Sequence, residues 1–264
     1  MPNPLLDKPI AVGRTAEVFA WGNGHILKLY RDWCPANWVE YELKIGRIVQ
    51  GAGLPVPAIG DIVEMDGRRG VIYERIDGVS MLDDFKRRSW RIQRYARTFA
   101  ELHATMHNCV VSADLPSMKN GLANSIRHAP NLTDDLRHSV LRQLDALPDD
   151  TQLCHGDFHP GNVMLTARGP IIIDWMTAKR GSPMADVARA LLLLTLGTPP
   201  STLERIIVNF VRGAFVNAYL DRYFQLRPGN RQELDAWRPI IAAARMDERI
   251  QGEQPSLIDM IQKV

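Results

Sequence analysis

Two short apolar runs, residues 163–166 and residues 170–173, constrain the fold of this chain more than any other feature. Both runs are β-prone, and the three residues between them end in a glycine, which is typical of a tight hairpin turn. An antiparallel hairpin returns its second strand to the start of its first. We therefore expect Asn162, which precedes the first run, and Asp174, which follows the second, to be neighbours.

The residues before the hairpin, His-Gly-Asp-Phe-His-Pro-Gly-Asn at 155–162, predict a loop because a proline and a glycine interrupt regular structure. Asp157 and Asn162 have the spacing of the aspartate and the asparagine in the kinase catalytic loop, H-R-D-x-x-x-x-N. Phosphoryl transfer needs a carboxylate that orients and deprotonates an acceptor hydroxyl, and oxygen ligands that hold Mg²⁺ across the phosphates. The spacing points to Asp157 for the first task, and to Asn162 and Asp174 for the second.

This pattern resembles the signature of the aminoglycoside phosphotransferase and choline kinase-like family, H-G-D-x-H-x-x-N followed by I-D-W. Residues 181–188, Gly-Ser-Pro-Met-Ala-Asp-Val-Ala, are similar to a second motif of that family, G-x-P-x-x-D-L-A. The resemblance implies that Asp157 is the catalytic base and that Asn162 and Asp174 bind Mg²⁺. It also implies that Asp186 is a structural residue that braces the catalytic loop.

The same resemblance implies a fold and an activity. The fold is α+β and two-lobed, as in protein kinases, with a small antiparallel-sheet N-lobe over residues 1–78 and a larger, mostly helical C-lobe over residues 79–264. The activity is transfer of the γ-phosphate of ATP or GTP to a hydroxyl group of a small molecule. Members of the family phosphorylate aminoglycosides, choline, amino sugars and homoserine, so the resemblance leaves the acceptor and the choice of nucleotide open.

In the N-terminal part, residues 10–30 predict a strand, a turn and a second strand, with Gly-Asn-Gly at 22–24 as the hairpin turn. We interpret Gly13 and the residues after it as the loop that covers the nucleotide phosphates. This loop contains a single glycine, so the interpretation depends on its position ahead of a strand that bears a lysine, Lys28.

A lysine in an apolar strand usually extends its ammonium group to water, and this explanation would suffice for Lys28 alone. However, residues 38–50 have the apolar spacing of a helix and offer a partner in Glu42. Glu42 is followed at 53–57 by Gly-Leu-Pro-Val-Pro, which resembles the family pattern E-x₁₀-G-L-P-V-P. We therefore expect Lys28 and Glu42 to form the ion pair that directs the lysine to the α and β phosphates. Glu40 is the alternative partner.

Residues 71–78, Val-Ile-Tyr-Glu-Arg-Ile-Asp-Gly, predict an apolar strand that ends in an Asp-Gly turn. The segment resembles the hinge strand of the family, V-x-E-x-x-x-G. The resemblance implies that backbone groups from Glu74 to Ile76 contact the adenine, and that the domain boundary lies near residue 78.

The remaining sequence predicts mostly helices, at residues 134–147, 200–226 and 237–250, with a break at Pro-Gly-Asn, residues 228–230. A basic stretch at residues 86–97 includes three arginines spaced three apart, which would share one helix face. A solvated face explains this stretch most simply, and an anionic substrate or partner is the alternative.

The C-terminal helices should supply much of the acceptor pocket. Residues 201–264 contain eight acidic and nine basic residues, so this part of the chain has no acidic surplus. A polycationic antibiotic would need an acidic pocket, and we therefore expect a metabolite with a hydroxyl group as the acceptor. Asp247 and Glu248 are candidates for acceptor contacts, although a solvated helix end explains them more simply.

Two histidine pairs leave other hypotheses open. His155 and His159 flank Asp157 and could hold zinc in a metal-dependent hydrolase, but further His or Asp clusters of the usual kind are missing. His103 and His107 lie four apart in a helical stretch, where packed, hydrogen-bonded core histidines are a better explanation than metal ligands. A non-catalytic, kinase-like nucleotide-binding module is a further alternative, supported by the glycine-poor loop.

Composition and charge argue against several classes of protein. The net charge of +2 does not favour nucleic-acid binding, and the longest apolar run, near residues 190–196, is too short for a membrane span. Residues 1–9 lack the layout of a signal peptide, and three widely spaced cysteines form no C-x-x-C pair. We therefore expect a cytoplasmic protein that binds a nucleotide and a small-molecule hydroxyl acceptor. The sequence leaves its oligomeric state open.

Overall fold

The computed structural model describes residues 8–112, 114–196 and 202–262, and describes only the backbone of residues 202–207. Two expectations from the sequence fall partly outside these residues. One is the absence of a signal peptide, which rests mainly on residues 1–7. The other is the start of a helix at Pro200.

The secondary structure consists of ten strands and nine α-helices within the described residues. The strands are β1 (Ala11–Val12), β2 (Ala16–Trp21), β3 (His25–Tyr30), β4 (Ile59–Met65), β5 (Arg68–Glu74), β6 (Val79–Ser80), β7 (Gln152–Cys154), β8 (Val163–Thr166), β9 (Gly169–Ile172) and β10 (Lys179–Gly181). The helices are α1 (Asn37–Gly51), α2 (Met81–Arg87), α3 (Ile92–His107), α4 (Met118–His128), α5 (Asp134–Ala146), α6 (Pro183–Thr195), α7 (Thr202–Leu226), α8 (Arg231–Arg245) and α9 (Gln254–Gln262).

By its packing the chain divides into two units. The first comprises Met1–Met81 and Gly161–Met176, and the second comprises Leu82–Pro160 and Thr177–Val264. The boundary expected at residue 78 stays a prediction, and the division by packing differs from it in the placement of residues 161–176. This segment joins the first unit because β8 pairs with β6 and because the amide of Ile172 donates a hydrogen bond to the carbonyl of Pro55, at 2.8 Å.

The first unit contains an antiparallel five-stranded sheet with the order β1-β2-β3-β5-β4. In the turn between β2 and β3, Gly22 and Gly24 have φ angles of 56° and 79°, which glycine adopts without steric cost. The predicted Gly-Asn-Gly hairpin is therefore confirmed. Side chains alternate along β3, so Lys28 and Tyr30 extend to the same face of the sheet.

Helix α1 packs against β4 and β5 in the same unit. Its buried apolar residues, Val39, Ile45 and Val49, recur at helical spacing and form one stripe. Fully burying side chains of this kind contributes roughly 1.5–3 kcal/mol each. The same face of the helix also buries a carboxylate, Glu42.

Strands β8 and β9 form the hairpin that the sequence predicts, with Val163 opposite Ile172 and Thr166 opposite Gly169. The second strand begins at Gly169, one residue earlier than expected, because Gly169 takes a φ of 109° and pairs within the ladder. The hairpin ends bring Asn162 and Asp174 to the same edge of the unit.

The second unit is mostly helical. Helix α3 packs along α7, and α8 packs against α6 and α9. At the first of these contacts, Phe99 meets Phe215 and Tyr219 edge-on, with ring centroids 5.7 and 5.1 Å apart. The short antiparallel ribbon of β7 and β10 leads into the segment 155–160. No helix in the described part of the chain is long and apolar enough to cross a membrane.

The predicted helix at residues 237–250 is wrong at both ends. Helix α8 begins at Arg231, because the Asn230 side chain accepts a hydrogen bond from the amide of Gln232, at 2.8 Å, and caps the helix. The α-helix ends at Arg245 and continues as a short 3₁₀ turn until Arg249 takes a left-handed φ of 55°. The predicted break at residues 228–230 is confirmed.

Candidate active site

Lys28 and Glu42 form an ion pair in the first unit, with Nζ and Oε1 2.7 Å apart. The other carboxylate oxygen of Glu42 accepts a hydrogen bond from the Tyr30 hydroxyl at 2.6 Å, and the residue is almost completely buried. The alternative partner, Glu40, is exposed and instead forms an ion pair with Arg69. The structure therefore selects Glu42.

Asp174 also contacts Lys28, with Oδ1 3.2 Å from Nζ. It directly follows β9 and has a left-handed φ of 63°, while its side chain remains half exposed. The amide of the preceding residue, Ile173, donates to the backbone carbonyl of Asn162 at 3.0 Å. Asn162 and Asp174 are thus neighbours at the open end of the hairpin, as the sequence predicts.

Electrostatics favour a charged Lys28. Burial alone would lower its pKa, but the carboxylates of Glu42 and Asp174 outweigh burial and raise the pKa above its usual value. Burial raises the pKa of the Tyr30 and Tyr73 hydroxyls, and the negative charge of Glu42 raises both further. Both tyrosines therefore remain neutral donors beside a buried ion pair.

Gly13 lies in a tight turn between β1 and β2. Its amide donates to the carbonyl of Ala16 at 2.9 Å, and a Cβ at this position would lie only 3.2 Å from the same oxygen. The Arg31 side chain donates to the carbonyls of Gly13 and Arg14, at 3.3 and 3.2 Å. The loop that the sequence assigns to the phosphates is therefore held by an arginine from the end of the neighbouring strand.

The expected hinge residues, Glu74 to Ile76, begin with the last residue of β5. The amide of Glu74 donates to the carbonyl of Ala58 at 2.8 Å, and its side chain forms an ion pair with Arg168. Burial raises the pKa of the Glu74 carboxyl, but the Ala58 amide and Arg168 outweigh burial and lower it. Within the described residues, the amide of Ile76 has no backbone acceptor.

In the second unit, Asp186 is completely buried and holds the segment before Asp157. Its Oδ2 accepts from the amide of His155 at 2.7 Å, and its Oδ1 accepts from the amide of Gly156 at 2.8 Å. The Thr177 hydroxyl donates to the carbonyl of His155 at 2.8 Å. The bracing role that the resemblance implies for Asp186 agrees with these contacts.

Two histidines complete the surroundings of Asp186. Nε2 of His103 and of His107 lies 3.2 and 3.3 Å from Oδ2 of Asp186, and each Nδ1 lies 2.7 Å from a tyrosine hydroxyl, of Tyr219 and Tyr223 respectively. Burial lowers the pKa of His107 to about 3. Burial alone would raise the pKa of Asp186, but the hydrogen bonds from His103 and His107 outweigh burial and hold this pKa well below its usual range.

This buried group could be mistaken for a metal site, because its three potential ligand atoms lie within 4.8 Å of one another. Asp186, however, already accepts four hydrogen bonds, and His107 is engaged through both ring nitrogens. A satisfied core network explains the arrangement without a metal. The sequence-based interpretation of His103 and His107 as packed core histidines agrees with this geometry.

Asp157 lies beyond the braced segment, with about a third of its side chain exposed. Its Oδ2 is 3.6 Å from Nε2 of His159. Arg189 donates from Nε to the carbonyl of Gly156 at 3.2 Å. Burial raises the pKa of Asp157, but His159 and Arg189 outweigh burial and lower it, so the carboxylate is ionised at neutral pH.

The alternative zinc site would use His155, Asp157 and His159. The ring of His155 is completely buried, and its Nδ1 accepts a hydrogen bond from the amide of Asp157 at 3.2 Å. In the part of the chain that the structure describes, these three residues do not form a group with metal-ligand spacing. The geometry thus disfavours the hydrolase hypothesis.

Sequence reasoning missed several members of the site. The alternation of side chains along one strand predicts that Tyr30 shares a face with Lys28, but no sequence pattern predicts the hydrogen bond from Tyr30 to Glu42. Arg189 lies one helical turn after Asp186 and carries no distinguishing sequence pattern. Arg189 forms an ion pair with Glu248 at 2.6 Å and also contacts the carbonyl of Gly156, so Glu248, one of the two candidates for acceptor contacts, lies near the segment that precedes Asp157.

The basic stretch fits the simpler of its two explanations. Lys86 forms an ion pair with Asp83 at 3.0 Å, and Arg88 forms one with Asp84 at 2.7 Å. Three further arginines are exposed to solvent: Arg91, Arg94 and Arg97.

Comparison with known proteins gives a family and a fold. A model of the phosphotransferase enzyme family matches residues 8–239, and no curated protein matches the chain. The amicoumacin kinase hAmiN, solved with AMP-PNP, Ca²⁺ and Ami, is similar at 14% identity and a TM-score of 0.64, over 98% of this chain and 90% of that one. A choline/ethanolamine kinase family protein from Mesorhizobium loti is similar at 15% identity and a TM-score of 0.62, over 99% and 87%.

A thermostable mutant of the aminoglycoside phosphotransferase APH(4)-Ia, in its apo form, is similar at 17% identity and a TM-score of 0.64, over 97% of this chain and 90% of that one. At these identities the solved structures show the fold alone. The predicted α+β, protein-kinase-like fold and the predicted family resemblance are both confirmed. The predicted enzyme class, a phosphotransferase that acts on a hydroxyl group, is also confirmed.

Proposed function

The chain belongs to the phosphotransferase enzyme family, and from this premise we propose that it is a small-molecule kinase that uses ATP or GTP. The observation that carries the proposal is the position of Lys28, whose ammonium group lies 2.7 Å from Glu42 and 3.2 Å from Asp174. Kinases use a lysine held by a glutamate to bind the nucleotide phosphates, and a carboxylate beside it to bind the metal. Both features occur together in the first unit.

The donor set fits Mg²⁺. Asn162 and Asp174 offer an amide oxygen and a carboxylate, which are the hard oxygen ligands that Mg²⁺ prefers. Asp174 remains half exposed, so its carboxylate is available to a metal. When bound, Mg²⁺ would neutralise charge on the phosphates. The amicoumacin kinase structure contains a divalent cation, Ca²⁺, together with a nucleotide analogue.

We assign Asp157 the role of the base. Because its pKa is lowered, the carboxylate is ionised at neutral pH and can accept a hydrogen bond from an acceptor hydroxyl. That contact orients the hydroxyl oxygen towards the γ-phosphate, and the proton passes to the carboxylate late in the transfer. His159 and Arg189 stabilise the negative charge before the transfer, and Asp186 restrains the backbone of the loop.

For the nucleotide, we propose that the Gly13 loop covers the phosphates and that the backbone from Glu74 to Ile76 contacts the base. The tight turn at Gly13 and its two carbonyl contacts to Arg31 support a rigid loop. The amide of Ile76, which lacks a backbone acceptor within the described residues, is a suitable donor to a ring nitrogen of adenine.

For the acceptor, we propose a hydroxyl-bearing metabolite. This view is supported by the balanced charge of residues 201–264, where eight acidic residues stand against nine basic ones. We further propose a cytoplasmic location. Cys34, Cys109 and Cys154 form no disulfide, which suits a reducing compartment.

The decisive experiment measures ADP and GDP release by the purified protein, with Mg²⁺, against a panel of aminoglycosides, choline, homoserine, amino sugars and nucleosides. Each acceptor is tested beside Asp157→Asn, which preserves shape but removes the base. We expect acceptor-stimulated release to fall by about 10²–10⁴-fold in the variant, as is typical for loss of an acid–base group.

Two results would contradict the proposal. Turnover that survives Asp157→Asn would exclude this residue as the base. Tight nucleotide binding without release for any acceptor in the panel would instead favour a non-catalytic nucleotide-binding module.

A further inference from the structure

Lys179 is a lysine of the second unit that neither the catalytic pattern nor the ion-pair network uses. It lies in β10 opposite Cys154 of β7, the residue that immediately precedes the catalytic segment. The end of its side chain runs across Gly121 of α4, where a Cβ would lie only 2.6 Å from Nζ and 3.3 Å from Cε. The absence of a side chain at residue 121 therefore creates the space that the ammonium group occupies.

The carboxylates near Lys179 are committed to other cations. Glu248 lies 2.6 Å from Arg189 and also forms an ion pair with Arg245, which in turn binds Glu253 at 2.8 Å. In the part of the chain that the structure describes, the ammonium group of Lys179 has no hydrogen bond and no ion pair.

The surroundings of Lys179 are unfavourable for an isolated cation. Burial lowers its pKa, and so does the positive charge of Arg189, whereas Glu248 and Asp186 act in the opposite direction without restoring the usual value. Arg189 is also the cation that donates to the carbonyl of Gly156 and lowers the pKa of Asp157. A partly buried lysine beside the catalytic segment thus lacks the anion that would compensate for its burial.

We infer that Lys179 binds an anionic group, a carboxylate or a phosphate, of the acceptor whose hydroxyl group Asp157 activates. The inference rests on the proposed function, since it names the substrate class of that site. An anion would supply the hydrogen bonds that Lys179 lacks and would be attracted by Arg189 as well. A polycationic acceptor would instead meet two positive charges, so the geometry favours an anionic metabolite over an aminoglycoside.

The first test needs no nucleotide and no known acceptor. Lysine side chains are labelled by reductive ¹³C-methylation, and the Lys179 signal is assigned from its loss in Lys179→Met. Inorganic phosphate and acetate are then titrated in separate NMR experiments at constant ionic strength, with chloride as the reference. We expect phosphate, acetate or both to shift the Lys179 signal in a saturable way, and to leave unchanged the signal of Lys86, an exposed lysine on α2.

A second variant separates loss of the anion site from misfolding. Gly121→Ala retains the lysine charge and favours the helix, but its Cβ displaces the ammonium group from its position. We expect it to abolish the saturable shift, as the assignment predicts. Lys179 signals that respond to phosphate and acetate no more than to chloride would overturn the inference, and so would a shift that is unchanged in Gly121→Ala.

Kinetics then distinguish this inference from the proposed function. With the acceptor identified by the panel, Lys179→Met should raise its KM by about tenfold or more, the usual effect of losing a hydrogen bond between charged groups, while kcat stays within about twofold. An acceptor without an anionic group, or an unchanged KM, would overturn the inference and leave the kinase proposal intact. Failure of every acceptor together with a saturable anion shift would count against the kinase proposal and would overturn the acceptor as the source of the anion, while Lys179 would remain an anion site.

Discussion

At the scale of single residues, two buried carboxylates, Glu42 and Asp186, are satisfied by partners that belong to the same unit. Glu42 binds Lys28 and Tyr30, and Asp186 receives two histidine rings and two backbone amides. Leaving a buried charge without its partners is strongly destabilising, because the desolvation cost remains while the compensating contacts are lost. These residues therefore stabilise the folded chain in addition to positioning the groups of the proposed active site.

The His107 network predicts a specific loss of stability in acid. Burial lowers the pKa of His107 to about 3 in the folded protein, below the usual value of 6.5, so the unfolded chain binds the proton more readily. The contribution of His107 is complete above pH 6.5 and is lost as the pH falls from 6.5 towards 3. We expect the free energy of unfolding, measured with urea, to decrease over this range by up to about 1.4 kcal/mol per pH unit.

Replacing the histidine tests the cause. His107→Gln should be less stable than the parent at neutral pH but should show a flatter dependence on pH below 6.5. His128→Gln is the matched control, since His128 is exposed at the end of α4. An unchanged slope in His107→Gln would show that other groups cause the acid sensitivity.

At the scale of elements, residues 155–157, which include the proposed base Asp157, are positioned by backbone geometry as much as by side chains. Gly156 has a φ of 77°, and a Cβ there would lie 2.7 Å from the carbonyl oxygen of Thr177. The turn thus combines a left-handed conformation with a close backbone approach, and glycine is the residue that permits both. This arrangement aligns the amides of His155 and Gly156 with Asp186.

Gly156→Ala should therefore lower the free energy of unfolding more than the same substitution at Gly22, another glycine with a positive φ. Gly22 has a φ of 56° but has open space at its Cβ position, so Gly22→Ala should cost about 1 kcal/mol from conformation alone. Gly156→Ala adds a steric clash and should cost about 1–3 kcal/mol more, in urea unfolding at neutral pH. It should also reduce kcat, because Asp157 is the next residue. Equal costs for the two variants would contradict the role of close packing at Gly156.

At the scale of the whole molecule, the family match covers residues 8–239 and leaves the end of α8 and all of α9 outside it. The unmatched part includes Arg245, Glu248 and Glu253, which form ion pairs with one another and with Arg189. These three charged residues thus lie outside the part of the chain that the family model matches, whereas Lys179 and Arg189 lie inside it.

Nucleotide binding should stabilise the folded molecule. A ligand that binds the native state alone contributes about 2.7 kcal/mol when its concentration is one hundred times Kd. We expect Mg²⁺ with ATP or GTP to raise Tm, measured by thermal unfolding, and Glu42→Gln to reduce this increase because Lys28 loses its charged partner. Glu40→Gln, at an exposed ion pair of the same helix, should retain it. A full increase in Glu42→Gln would exclude the ion pair from nucleotide binding.

Sequence patterns were sufficient where neighbours in the chain determine the structure. The hairpin of β8 and β9 follows from two β-prone runs and a glycine turn, and it brings Asn162 beside Asp174 without help from distant segments. The partner of Lys28 was also predictable, because helical spacing and the following Gly-Leu-Pro-Val-Pro pattern distinguish Glu42 from Glu40. The start of α8 lies ahead of the predicted one, because the cap at Asn230 begins the helix before its apolar spacing becomes regular.

The sequence by itself determined the family and the fold class, and it predicts residues for phosphoryl transfer, since all of these depend on short motifs and local periodicity. Only the tertiary structure decided which distant groups complete them. His103 and Tyr219 are 116 positions apart, and the space for Lys179 is created by a glycine on another element. A local pattern indicates that a side chain is buried or polar. The partner that forms a hydrogen bond with a buried polar side chain depends on packing between segments that are far apart in the chain.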